Sequence, residues 1–219
     1  YLLTRCNVFS ENCNFLEVGG GTGATSSFLR SNQGGNYLVS ELSFDAIKSA
    51  KLKFPENSYI QMDARNIPFS GEFDIVGMFD VLEHIEEDEK VLQGAFRALK
   101  KSGYLVLSVP QYQWLWSEHD EFSGHKRRYT KSLLNSRLQH AGFEIIDFSS
   151  YLFFAFPLML IARLRKSRNQ EKDNKISEMS GIEISPFLNW FLVKFTLADS
   201  FMIRLGAKLP FGGSLIVLA

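Results

Sequence analysis

Residues 14–29, NFLEVGGGTGATSSFL, place four glycines within five positions, between an apolar run and a segment with helical character. Glycines at such a junction allow a tight turn, and they let a ligand touch the main chain where any Cβ would block it. This stretch therefore predicts the first strand-turn-helix unit of an α/β fold, with a nucleotide-type crevice at the turn. A phosphate-binding P-loop is excluded, because no Lys-Ser or Lys-Thr pair follows the glycines.

Short β-type runs alternate with amphipathic helix-length segments from residue 14 to residue 150, which is typical of a parallel sheet covered on both faces. The predicted strands are residues 15–18, 37–39, 59–62, 73–79, 104–109 and 143–148, with a last strand at 213–219. The predicted helices are residues 25–31, 44–53, 87–100 and 131–141. The pattern predicts an α/β, Rossmann-like doubly wound sheet.

Residues 152–209 differ in character and predict a helical, apolar insertion within an α/β domain formed by residues 1–151 and 210–219. An apolar segment (151–164) is followed by a charged, loop-like one (165–175) and by a second apolar segment with helical periods (182–209). Three roles remain open for it: a lid over an acceptor pocket, contact with a membrane or a prenyl-type substrate, and a dimer interface. The first apolar segment is too short to span a bilayer.

The charge balance argues against nucleic acid as a partner, because 24 Lys and Arg residues match 24 Asp and Glu residues. Cys6 and Cys13 fit no zinc-site spacing and cannot staple a chain this long, which favours a reducing cytoplasm. Membrane association remains the alternative localisation. The sequence starts at Tyr1 and not at a methionine, so we expect its true beginning to lie upstream. It gives no indication of oligomeric state.

The glycine turn alone leaves two ligand classes open. Gly19, Gly21 and Ala24 satisfy the dinucleotide pattern G-x-G-x-x-G/A, and Glu41 stands where a ribose-binding acid belongs. Glu17, however, sits where it would repel a pyrophosphate but attract an ammonium or a sulfonium. Asp63 follows the third predicted strand, as if to accept the exocyclic amine of an adenine.

Five stretches together resemble the class I S-adenosylmethionine-dependent methyltransferases, of type 11 or type 12, in particular the branch with ubiquinone and menaquinone biosynthesis enzymes. They are LEVGGGTG, the acid in SEL, QMDA, FDVLEHI and LKKSGYLVLSVP, and they cover about residues 14–110. The resemblance implies a seven-stranded sheet with the last strand antiparallel. It also implies S-adenosylmethionine as cofactor and methyl transfer to a small or lipid-linked acceptor at O, N or C.

Two other functions stay open. One is a nicotinamide-dependent oxidoreductase, although no Tyr-x-x-x-Lys pair is found where hydride transfer would need it. The other is a non-catalytic, membrane-peripheral protein that binds the cofactor.

The resemblance also implies which residues bind the cofactor. Glu17 and the turn containing Gly19, Gly21, Thr22 and Gly23 would cradle its methionine end, and Glu41 would accept both ribose hydroxyls. Leu42 would pack on the adenine, Asp63 would accept its amine, and Ala64 would offer backbone. Phe79 and Asp80 would line the wall near the sulfonium. Purely structural alternatives are a solvated turn acid for Glu41, a capping residue for Asp63 and a core residue for Phe79.

Three histidines are candidate bases for the acceptor: His119, His125 and His84. The first two lie in the segment VPQYQWLWSEHDEFSGHKRRYT, which follows the fifth predicted strand at the end where open α/β sheets bind ligands. In the alternative interpretation this segment only leads into the next helix, with Thr130 as its N-cap. We expect no metal site, because no histidine pair has a helical metal-binding spacing. Glu83 and residues 86–89 are interpreted as acids that favour a helix N-terminus.

Overall fold

A computed structural model describes residues 10–161 and 185–219. Its strands are β1 (Asn14–Val18), β2 (Asn36–Glu41), β3 (Ser58–Gln61), β4 (Phe73–Phe79), β5 (Leu99–Pro110), β6 (Asp147–Tyr151) and β7 (Ser214–Leu218). Its helices are α1 (Ala24–Gln33), α2 (Phe44–Lys53), α3 (Asp88–Ala98), α4 (Glu118–Phe122), α5 (Lys131–His140) and α6 (Pro186–Arg204). Residues 156–161 are also helical.

The seven strands form one sheet in the order β3-β2-β1-β4-β5-β7-β6. Strands β1 to β5 pair in parallel, whereas β7 runs antiparallel between β5 and β6. The predicted doubly wound sheet with an antiparallel last strand is thereby confirmed. In this order β1 to β3 lie on one side and β4 to β7 on the other, so the two halves of the sheet meet between β1 and β4. This is the switch point where such sheets bind ligands.

Each face of the sheet buries its own apolar cluster. One cluster joins β1, β4 and β5 to α3 and α5 and includes the fully buried Leu92, Leu107 and Leu134. The other lies on the opposite face and includes Phe15, Tyr37 and Ile203, the last of which comes from α6. The alternation of apolar residues along these elements thus builds a rigid platform, and the carboxyl ends of β1 to β5 lie at one edge of it.

Several predicted boundaries differ from the structure; the fifth strand, for example, begins at Leu99 and not at residue 104. Helix α3 ends at Ala98, because Leu99 already pairs with Phe73 of β4. The sixth strand is Asp147–Tyr151 and not residues 143–148, because pairing with β7 sets its register. Phe143 packs instead on Phe96 of α3, with ring centroids 5.2 Å apart.

The predicted insertion is helical where the structure describes it, namely at residues 156–161 and in α6. The charged segment 165–175 lies outside the described residues, and the division into two domains stays a prediction. In the described ranges, no helix has both the length and the apolar character that crossing a bilayer requires.

Candidate cofactor and acceptor site

A cavity of about 530 Å³ opens at the carboxyl ends of β1, β2, β3 and β4. This volume falls within the range of about 300–1,000 Å³ that small-molecule sites occupy. Seven of the residues singled out in the sequence line it: Gly19, Glu41, Leu42, Asp63, Ala64, Asp80 and His84. Residues from four separate strand ends therefore meet at one crevice, at the switch point of the sheet.

The glycine turn combines one packed position with one open position. A Cβ on Gly20 would collide with the side chain of Val39, so packing alone requires glycine there. Gly21 has φ of +50°, and no heavy atom lies within 4 Å of where its Cβ would be. The fold therefore leaves space beside Gly21 that its own side chains do not fill, as a ligand-binding turn requires.

Glu41 points to this turn. Its Oε2 accepts a hydrogen bond from the backbone N–H of Gly21 at 3.0 Å. Its Oε1 accepts from the backbone N–H groups of Leu42 and Ser43, at 2.7 and 3.1 Å. These bonds hold the carboxylate rigidly at the cavity edge, and each oxygen keeps lone-pair capacity for a further donor. A pair of vicinal hydroxyls is a ligand that such a carboxylate can bind.

Glu17 has a different position from the cavity-lining residues. It is only 2% exposed, and its Oε2 accepts from the backbone N–H of Ser26 at 3.1 Å and from the Ser26 hydroxyl. The carboxylate thus satisfies a free N–H in the first turn of α1 and favours the helix dipole. Burial raises the pKa of Glu17, against the lowering effect of the Ser26 bonds.

Asp63 is at the cavity wall but already has a cationic partner. Arg65 reaches its Oδ2 at 2.6 Å and its Oδ1 at 3.0 Å, and the backbone N–H of Arg65 also donates to Oδ1. The hydrogen bonds from Arg65 lower the pKa of Asp63 to about 2. An adenine amine would therefore meet a fully ionised carboxylate that shares its lone pairs with Arg65.

Asp80 follows the last residue of β4 in a left-handed conformation, with φ of +53°. Its backbone N–H donates to the carbonyl of Ser108 at 3.0 Å, and its Oδ1 accepts from the Ser108 hydroxyl at 3.3 Å. Contacts to the neighbouring strand β5 thus hold a strained residue at the cavity wall. Such strain is often found where a side chain is aimed at a ligand.

His84 and His125 are brought together although they are distant in the sequence. Their rings pack edge to face with centroids 4.6 Å apart. His84 lines the cavity, and partial burial and the nearby His125 lower its pKa. His125 is the second of the predicted bases that the structure places beside the crevice. His119, in contrast, lies on α4 with its residue exposed and does not line the cavity.

A buried acid fixes the orientation of His125. Oδ1 of Asp120 lies 2.9 Å from Nδ1 of His125, and its two oxygens also accept from Arg128 at 2.7 and 3.0 Å. Burial works against ionisation of Asp120, but the bonds from Arg128, Ser117 and His125 outweigh it and lower its pKa to about 2. An ionised Asp120 can only accept, so Nδ1 of His125 donates to it and Nε2 faces away from this bond.

Glu83 is a member of this site that the sequence did not indicate. It is fully buried, and neither carboxylate oxygen has a hydrogen-bond partner among the described residues. Burial raises its pKa to about 8. The sequence grouped it with the acids at residues 86–89 near a helix start, because nothing in its local pattern shows that the turn Leu82–His84 rotates it inward.

The remaining predicted residues surround the site without lining the cavity. Gly21, Thr22 and Gly23 form the turn beside it, and Gly23 precedes the first residue of α1. Phe79, the last residue of β4, packs against the buried cluster that contains Phe15 and Ile75.

The methyltransferase domain family matches residues 16–107. The ubiquinone/menaquinone biosynthesis C-methyltransferase UbiE of Pectobacterium carotovorum subsp. carotovorum is 27% identical over 133 residues, which are 55% of this chain and 53% of that protein. The mitochondrial ubiquinone biosynthesis O-methyltransferase of Candida albicans is 35% identical over 107 residues, which are 43% of this chain and 31% of that protein. The chain thus spans about half the length of the first of these relatives.

Solved structures share the fold over nearly the whole chain. Phosphoethanolamine N-methyltransferase 2 of Haemonchus contortus, in complex with S-adenosyl-L-methionine, matches with a TM-score of 0.60 and 19% identity. The match covers 99% of this chain and 50% of that one. The three named proteins methylate carbon, oxygen and nitrogen, so similarity alone leaves the acceptor atom open.

Proposed function

We propose that this chain, whose residues 16–107 match a methyltransferase domain family, is a class I S-adenosylmethionine-dependent methyltransferase that transfers a methyl group from S-adenosylmethionine to a small or lipid-linked acceptor. The observation that supports this best is the carboxylate of Glu41, fixed beside the open position of Gly21 at the edge of the 530 Å³ cavity. These residues fit the cofactor: a rigid carboxylate matches a ribose diol, and the bare turn leaves room for its methionine end.

In the proposed assignment, Glu41 accepts hydrogen bonds from the ribose hydroxyls and Leu42 packs on the adenine. Asp63 accepts a hydrogen bond from the adenine amine while it keeps its hydrogen bonds from Arg65. The backbone from Gly19 to Gly23 holds the methionine end, next to the N-terminus of α1. Glu17 lies behind the turn and supports the binding of the methionine end in two ways. It stabilises the first turn of α1 and adds negative charge near the ammonium group.

When bound, S-adenosylmethionine supplies a methyl group activated by a sulfonium. The transfer is an in-line displacement, so the main task of the protein is to align the acceptor atom and exclude water. Asp80 and His84 form the wall next to the switch point, and His125 stands behind His84. We assign the acceptor end of the site to this wall. Nε2 of His125, held by Asp120, is able to take a proton or to bind a cation.

The exposed face of α6 supports a lipid-linked acceptor and peripheral membrane contact. Exposed apolar side chains recur at helical spacing along this helix and just past its end, each 47–69% exposed: Trp190, Val193, Leu197, Phe201 and, after Arg204, Leu205. Lys194 lies over the ring of Trp190, so a cation borders the apolar stripe. Such a helix binds in the interfacial plane of a bilayer without spanning it. An acceptor with an apolar tail would be delivered from that surface.

Calorimetric titration with S-adenosylmethionine and with NAD tests the assignment. We expect the wild-type protein to bind only S-adenosylmethionine. Replacing Glu41 by alanine should weaken binding about 10- to 100-fold, which corresponds to about 1.4–2.8 kcal/mol. Asp45→Ala is the matched control, because Asp45 is an exposed acid on the neighbouring helix α2 and does not line the cavity. Binding of NAD alone, or equal affinities for the two variants, would overturn the proposal.

A further inference from the structure

Three side chains from two distant segments converge at the inner end of the crevice. Glu83, His84 and His125 each present a ligand atom, and these atoms lie within 4.8 Å of one another. Ligand atoms about 2.0–2.2 Å from a zinc ion are about 3–4 Å apart, so small side-chain rotations would bring the three onto one ion. Sequence spacing gives no sign of this, because His125 comes from the loop after α4.

Glu83 is the observation that points to a ligand. Both of its oxygens are buried without a hydrogen-bond partner among the described residues, in a protein that satisfies the acids around it. A buried carboxyl group without a hydrogen-bond partner is unfavourable whether it is protonated or ionised. Bound cations are one of the few partners that compensate such a group.

His125 is prepared in the way that metal-binding histidines usually are. Its Nδ1 donates to the buried carboxylate of Asp120 at 2.9 Å, and Arg128 and Ser117 in turn hold that carboxylate. A carboxylate behind a histidine fixes the tautomer and the ring orientation, and it makes the other nitrogen a better ligand. With Nδ1 bound to Asp120, Nε2 of His125 is the ring nitrogen that remains for a ligand.

The local charge also favours a cation. Asp80 lines the same cavity as His84, and Asp120 bonds to His125, so two further carboxyl groups lie close to the position. Two cations lie nearby: Arg128 is committed to Asp120 through two hydrogen bonds, and Lys126 lines the cavity. The two histidine rings, 4.6 Å apart, contribute no charge when neutral.

We propose that Glu83, His84 and His125 bind one divalent first-row transition-metal ion, such as Zn²⁺, at the acceptor end of the crevice. Two imidazole nitrogens and one carboxylate oxygen suit zinc, iron, manganese or nickel, whereas Mg²⁺ prefers oxygen ligands alone. Three protein ligands leave at least one coordination position open, as in catalytic zinc sites. His84 lines the cavity, so the open position faces it. That position would hold an oxygen atom of the methyl acceptor, and this role rests on the proposed function.

The test is calorimetric titration of tag-free protein with ZnCl₂ and with MgCl₂, after treatment with EDTA and its removal by dialysis. S-adenosylmethionine is absent, so the result is independent of methyl transfer. We expect one equivalent of Zn²⁺ to bind and Mg²⁺ to bind at least about tenfold more weakly. Co²⁺ should give visible absorption bands of a four- or five-coordinate site, which report ligation directly.

Variants separate this site from adventitious surface binding. Glu83→Gln keeps the shape of the side chain, and His84→Ala removes a partly exposed ring, so both should fold, as circular dichroism would verify. Each should weaken Zn²⁺ binding by more than about tenfold, since even residues behind the ligands typically contribute 10–100-fold. His140→Ala, on the outer face of α5, should bind as the wild type does.

The proposal is overturned if the wild-type protein binds no stoichiometric Zn²⁺, or if Glu83→Gln and His84→Ala bind it as tightly as His140→Ala. Either result would leave the binding of S-adenosylmethionine untouched. A protein that binds Zn²⁺ but not S-adenosylmethionine would instead retain the metal site and refute the proposed function.

Discussion

Replacing Gly21 by alanine tests whether the open space beside the glycine turn belongs to the cofactor. Gly21 has φ of +50° and no heavy atom within 4 Å of the position that an added methyl group would take, so the variant should fold. The left-handed conformation costs a residue with a Cβ about 1–2 kcal/mol. For a chain of this size, 1 kcal/mol lowers Tm by about 2–4 °C, so we expect a drop of about 2–8 °C.

The same chain offers a matched control. Gly71 has φ of +66° and again no heavy atom within 4 Å of its would-be Cβ, but it lies in the turn before β4 and does not line the cavity. Gly71→Ala should therefore lose as much stability as Gly21→Ala. Only Gly21→Ala should lose affinity for S-adenosylmethionine, by at least about tenfold or about 1.4 kcal/mol.

Differential scanning calorimetry measures the first quantity and titration calorimetry the second. Equal affinities in the two variants, with equal losses of Tm, would refute the idea that the turn contacts the ligand. A much larger loss of Tm for Gly21→Ala would instead show that the turn is constrained by packing that the structure does not contain.

Three further predictions follow from single contacts. Asp120→Asn leaves Arg128 buried without its counter-charge and should cost about 3–5 kcal/mol in urea denaturation at pH 7. Because the folded pKa of Asp120 is about 2 and its usual value is 3.8, the pH-dependent part of this stabilisation, about 2 kcal/mol, is present above about pH 4 and is lost as the pH falls through 2, so the difference between the two proteins should shrink at low pH. Arg65→Ala should raise the pKa of Asp63 from about 2 towards 3.8 in an NMR titration without weakening the binding of S-adenosylmethionine. Asp63→Ala, in contrast, should weaken that binding. Phe201→Glu, at a residue 61% exposed, should abolish co-sedimentation with anionic vesicles while leaving Tm within about 2 °C; unchanged co-sedimentation would remove the membrane proposal.

The sequence predicted which of the residues proposed for the cofactor meet at the crevice, because their positions are encoded locally. The glycine turn, the acid at the end of β2 and Asp63 after β3 each follow a strand whose apolar run identifies it. Parallel strands align their carboxyl ends, so residues at those ends meet without further information. Glu41 indeed bonds to Gly21 across two neighbouring strands, at 3.0 Å.

The acceptor half was only partly predictable, because long-range contacts determine it. The sequence marked His84 and His125 separately, but their edge-to-face contact depends on how the loop after α4 folds back over the turn after β4. A backbone hydrogen bond from Lys126 to the carbonyl of Glu83 fixes this return, at 2.6 Å. No periodicity or spacing encodes such a contact. The inward position of Glu83 therefore appears only in three dimensions.

The backbone itself distinguishes the two edges of the sheet. Among the described residues, four that are not glycine have positive φ: Asp80, Ser102, Tyr112 and Leu152. Three of these, all except Ser102, directly follow or nearly follow the carboxyl ends of β4, β5 and β6. Each such conformation is unfavourable by about 1–3 kcal/mol and persists only where surrounding contacts over-determine it. Strain is thus concentrated at the edge that holds the cavity and the histidine pair. Local sequence preference would have selected glycine or asparagine at these positions, yet Asp80 lines the cavity and the ring of Tyr112 stacks on that of Trp114. The same edge is where sequence rules failed for Glu83, and both departures have one physical origin: contacts between segments distant in the sequence, and not local preference, set the conformation there.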